Sequence, residues 1–95
     1  MSIDRLRRSY NQRLKELVNK KDDGGMRKLL LQMKEKGISR DKTTWSQILL
    51  LHIKRNNVEA VKRTLSDINN VCLLYYLFIN SFTYMFYILY SIYTY

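Results

Sequence analysis

Apolar residues in the first two-thirds of the chain recur at helical spacing. Tyr10, Leu14, Leu17 and Val18 fall on one face of a helix, as do Trp45, Ile48, Leu49 and Ile53. A second pair of helices is marked by Met26, Leu29, Leu30 and Met33, and by Val58, Val61, Leu65 and Ile68. Ser9 with Gln12, and Thr44 with Gln47, have capping-box spacing, so the first helix of each pair is expected to start at those hydroxyls. Lys21-Asp22-Asp23 and Asn56-Asn57 read as turns, and Gly37 sits where a left-handed residue would end a helix. The pattern predicts an all-α chain with helices over about 10–20, 24–36, 45–55 and 58–69, folded as two antiparallel hairpins, with Leu30 and Leu65 buried between them.

The two hairpins are copies of one unit. Tyr10 and Trp45 stand 35 residues apart, and the same offset pairs Ser9 with Thr44, Gln12 with Gln47, Leu14 with Leu49 and Val18 with Ile53. It continues through Met26 and Val61, Arg27 and Lys62, Leu30 and Leu65, and Met33 and Ile68. A period of this length implies an α-solenoid, in which each unit buries its apolar face only by stacking on a neighbour.

The residues that close the first unit and open the second narrow the choice of repeat. Met33-Lys34-Glu35-Lys36-Gly37-Ile38-Ser39-Arg40-Asp41, followed by Thr43-Thr44-Trp45-Ser46-Gln47-Ile48-Leu49, resembles the pentatricopeptide repeat, with Arg40 where that family usually has proline. A tetratricopeptide unit is one residue shorter. The resemblance covers roughly residues 8 to 68. It divides the chain into a basic lead-in over 1–7, a first repeat over 8–42, an incomplete second repeat over 43–70, and a tail over 71–95.

The resemblance implies binding of single-stranded RNA, one base per repeat. It assigns base reading to Asn11 and Asp41 in the first unit, a pairing the family associates with uridine, and to Ser46 in the second. The positions that sandwich neighbouring bases hold Arg8 and Thr43 in place of the usual valine. Lys28 is the candidate phosphate contact. A structural role for the same pair is equally open, because Asp41 precedes the next helix and suits its positive end.

Charge supports an anionic partner independently. Lys and Arg number 17 against 8 Asp and Glu, for a net charge of +9, and every charged residue precedes position 68. Such a surface favours a phosphate backbone through counterion release, and anionic membranes as well. Two repeats would supply only about 2–6 kcal/mol of base stacking, whereas millimolar binding already needs about 4 kcal/mol. The chain therefore reads as an excerpt from a longer array, with neighbouring repeats or a protein partner beside it.

Residues 71–95 break the pattern. They contain no charge and no Gly, Ala, Gln or Pro, but seven of the eight tyrosines and all three phenylalanines. Every residue type there is reachable with U-rich codons, as in a translated intron. Twenty-five uncharged residues also suffice to span a bilayer, although Asn80, Ser81 and Thr83 lie near the middle. A third possibility is a helix covering the open end of the solenoid.

No catalytic constellation is present, and no cofactor is implied. His52 is a lone histidine in a helix, Cys72 is a single cysteine, and Gly24-Gly25 lacks the spacing of a phosphate loop. The expected function is that of an adaptor acting in organellar, mitochondrial RNA stability, processing or translation. The location follows from the resemblance alone, since Met1-Ser2-Ile3-Asp4 leads almost directly into the first repeat without a Ser-rich presequence. The alternative is a small tail-anchored membrane protein whose hairpins bind another protein.

Overall fold

A computed structural model describes residues 2–68, and within them the chain is all-α. Four helices follow one another: α1 (Ile3–Asn19), α2 (Asp23–Glu35), α3 (Lys42–Lys54) and α4 (Val58–Asp67). The expectations for residues 69–95 lie outside the described residues.

Two helices begin earlier than the sequence pattern suggested. Ser9 is an interior residue of α1, whose cap is Ser2, with the Arg5 N–H donating to Ser2 Oγ at 3.2 Å. Nothing between Ser2 and Ser9 breaks a helix, Asp4 suits the amino-terminal end of the dipole, and Arg7 pairs with Asp4 one turn later at 3.0 Å. Thr44 likewise lies inside the first turn of α3, and the cap is Asp41. The carboxylate outcompetes a hydroxyl three residues on because it presents a full charge to the free amides.

The turns repeat more faithfully than the side chains do. Lys21 and Asn56 are both left-handed, and at each the next amide reaches back five residues, from Asp22 to Leu17 O and from Asn57 to His52 O, both at 2.9 Å. Asp22 and Asn57 then cap α2 and α4, accepting from the Gly25 and Ala60 amides. Asp23, expected in the turn, is the first residue of α2. Gly37, at φ 70°, closes α2 in the same manner and lets Ile38 fold back into the core.

α1 packs against both α2 and α3, and α3 against α4. The core joins Tyr10, Leu14 and Val18 of α1, Met26, Leu29 and Met33 of α2, Ile38, and Ile48 and Leu51 of α3. Five offset pairs are buried on both sides: Leu14 and Leu49, Val18 and Ile53, Met26 and Val61, Leu29 and Thr64, Met33 and Ile68. Leu30 and Leu65 are only half-buried, contrary to expectation. Leu29 and Thr64, one position earlier, take the inward direction instead, and Leu30 lines two clefts that follow one another along α2.

Candidate nucleic-acid interface

Asn11 and Asp41, thirty residues apart in sequence, are brought into direct contact. The Asn11 Nδ2 amide donates to Asp41 Oδ1 at 3.2 Å. Thr44 completes the group: its hydroxyl lies 2.6 Å from Asn11 Oδ1 and 2.8 Å from Asp41 Oδ1, and its single hydrogen serves one of them at a time. The backbone closes the ring, with the Thr44 N–H donating to Asp41 Oδ1 at 2.9 Å and the Asp41 N–H donating to Thr44 Oγ1 at 3.3 Å. Asn11 is 8% exposed and Thr44 is fully buried.

These contacts set the charge state of Asp41. Burial pushes its carboxyl pKa up, but the bonds from the Thr44 amide and hydroxyl and from the Asn11 amide outweigh burial. Together with the nearby Arg7 guanidinium they hold it below the ordinary 3.8. Arg7 also ties the α2–α3 connection to α1, donating from Nε to Ser39 O at 2.9 Å and from Nη2 to Ser39 Oγ at 3.2 Å. Asp41 is thus at once the cap of α3 and the link between the two units. Among the described residues, the second Asp41 oxygen and one Asn11 amide hydrogen make no bond.

The other candidates fall in different places. Ser46, the counterpart of Asn11, is half-buried and donates to its own helix at Lys42 O, 2.8 Å away. Arg8 and Thr43 are exposed on the first helices of their units. Arg8 belongs to an exposed polar ridge along α1 that also carries Arg5, Gln12, Lys15 and Asn19. Lys28 is not on this surface. It lines a cleft of about 250 Å³ between α1 and α2 with Arg13 and Lys20, on the side of α1 turned away from Asn11.

Sequence reasoning missed Thr44 and Arg7 as members of the site. Asp41-x-x-Thr44 is itself a capping-box spacing, which was the available signal. It also missed Arg40, whose guanidinium stacks over the Trp45 ring at 4.9 Å, and Arg55, which donates to Lys21 O at 2.9 Å and ties the end of α3 to the first turn.

His52 sits in a second cleft, of about 370 Å³, between α2 and α4, with Asp23, Arg27, Arg63 and Asp67 around it. Its Nδ1 is buried without a hydrogen-bond partner. Burial lowers its pKa below 6.5, and Arg63, Arg27 and Arg55 lower it further against the opposing pull of Asp23. Among the described residues no group of three or more His, Cys, Asp or Glu is placed to hold a metal ion, and no helix is long and apolar enough to cross a membrane. Compared with protein-family models, curated proteins and solved structures, the chain matches none.

Proposed function

We propose that this chain is a helical-hairpin repeat protein of pentatricopeptide type, a short stretch of α-solenoid that binds single-stranded RNA. The contact between Asn11 and Asp41 carries the reading. It holds an amide and a carboxylate together at the junction of the two units, next to the exposed ridge of Arg5, Arg8 and Lys15. An amide hydrogen and a carboxylate oxygen can address a Watson–Crick edge, with Arg8 available to stack on a base and the ridge to meet phosphates. The role is that of an adaptor in organellar RNA stability, processing or translation, with mitochondria as the compartment.

The bonds within the Asn11–Asp41–Thr44 group refine the mechanism. Asp41 orients Asn11, which limits the rotamers the amide loses on meeting a base, so pre-organisation supplements the small stacking energy. Fluorescence anisotropy of a longer array carrying residues 8–42, with labelled RNAs that place uridine or each of the other three bases opposite this unit at fixed low salt, tests the reading. Tightest binding to the RNA with uridine at that position is expected. Equal binding to all four would leave only a basic surface.

A further inference from the structure

Tyr10 and Trp45, at the same position of the two units, are placed differently. Tyr10 is 2% exposed, beneath the Arg13 guanidinium and the Lys36 ammonium. Trp45 is half-buried and walls a cleft of about 360 Å³ between α2, the α2–α3 connection and the start of α3. Leu30, Met33 and Ile38 complete the apolar lining, and Lys34 and Arg40 stand beside it as exposed cations. The cleft walls are held by bonds of their own. The Ile38 N–H donates to Met33 O at 2.9 Å, and Arg7 holds the neighbouring Ser39 by its carbonyl and its hydroxyl.

The charge of this cleft is one-sided. The cleft at His52 has Asp23 and Asp67 among its walls and the cleft at Lys28 has Glu16, whereas no carboxylate lines this one. Among the described residues neither Lys34 nor Arg40 forms an ion pair. Arg40 lies over the Trp45 ring at 4.9 Å, and a guanidinium stacked in this way keeps its N–H edge free for a carboxylate.

We propose that this cleft docks a segment of a partner protein in which a large apolar side chain is flanked by carboxylates. Trp, Met and Arg concentrate at the centres of protein interfaces, and Trp45, Met33 and Arg40 meet here in one place. The apolar side chain enters against Leu30 and Trp45, and the carboxylates reach Lys34 and Arg40 as charge-assisted hydrogen bonds. The fixed walls keep the ordering cost of docking low. A nucleobase stacks on an open aromatic face, and Arg40 already covers one face of Trp45. Docking here requires nothing of the base-reading group at Asn11.

Trp45 is the chain's single tryptophan, so its fluorescence, excited where tyrosine does not absorb, reports on the cleft. The full chain is titrated with a capped peptide of one leucine flanked by glutamates, with the same peptide carrying serine for leucine, and with the same peptide carrying glutamine for glutamate. A saturable change with the first peptide alone is expected. An equal change with either control would leave charge or apolar contact alone as the cause and overturn the proposal, as would no saturable change with any of the three. Lys34→Ala should weaken the leucine peptide about tenfold, the loss of one charge-assisted hydrogen bond. Lys54→Ala, at an exposed position outside the cleft, should leave it unchanged, and equal weakening in the two variants overturns the proposal. A change at Trp45 with oligouridylate that Lys34→Ala weakens as much would assign the cleft to RNA and overturn it too.

Discussion

Lys21 and Asn56 adopt the same left-handed backbone, φ 55° and 54°, at the same point of two successive units. The side chains differ and the geometry does not, because each turn must free one carbonyl ladder and start the next helix within three residues. Asparagine tolerates this region and lysine does so at a cost of about 1–2 kcal/mol.

Lys21→Gly should therefore stabilise the protein by about 1 kcal/mol, with Lys21→Asn following part of the way. Arg55 bonds to the Lys21 backbone carbonyl and not to its side chain, so that contact survives both changes. Urea denaturation reads the gain. A loss of stability in Lys21→Gly would show that the lysine side chain contributes something the geometry does not explain.

Burial ranks the core substitutions. Leu14→Ala and Leu51→Ala, at fully buried positions, should each cost about 2–5 kcal/mol. Leu30→Ala and Leu65→Ala, at half-buried positions, should cost clearly less. Thermal unfolding of the four variants gives the order, and equal costs would contradict the packing described.

Thr44→Val keeps the shape of the side chain and removes the hydroxyl shared by Asn11 and Asp41. With the buried Asn11 and the half-buried Asp41 sharing the lost partner, a cost of about 1–3 kcal/mol is expected. A double-mutant cycle with Asn11→Ala should show strong coupling. Additive effects would mean the three residues do not act as one group.

Two titrations should separate along the pH axis. The His52 pKa is lowered in the folded state, so its contribution is full above 6.5 and is lost as pH falls through the lower folded value. Asp41 is also lowered, so its contribution is full above 3.8 and is lost only as pH falls through its own still lower value. His52→Leu, which copies Leu17 at the corresponding position of α1, should flatten the stability profile below pH 6.5 and leave the limb of Asp41 in place. An unchanged profile there would rule out His52 as the group responsible.

Recognition and simple charge attraction predict different outcomes for RNA. In a longer array carrying residues 8–42, Asn11→Thr should move the base preference from uridine towards guanine. Lys28→Ala, if that side chain meets phosphate, should weaken all sequences alike and reduce the salt slope by about one. Because Lys28 lies on the far side of α1 from Asn11, an unchanged slope would place the RNA on the α1 ridge alone.

Periodicity by itself determined that residues 2–68 are all-α and made of two related hairpins, because the offset of 35 carries apolar positions and turn residues together. Gly37 was legible for the same reason: only a few residues suit a left-handed helix end. The helix starts were not, since Ser9 and Thr44 have the right spacing for caps, while Ser2 and Asp41 offer competing caps that helix continuity and charge favour. Leu29 and Leu30 are neighbours of identical chemistry, and only the packing of α2 chose which points inward. The pair Asn11 and Asp41 could be nominated from sequence. That they bond to each other through Thr44, with Lys28 on a separate cleft, was decided by how α1 and α3 pack, which no local pattern encodes.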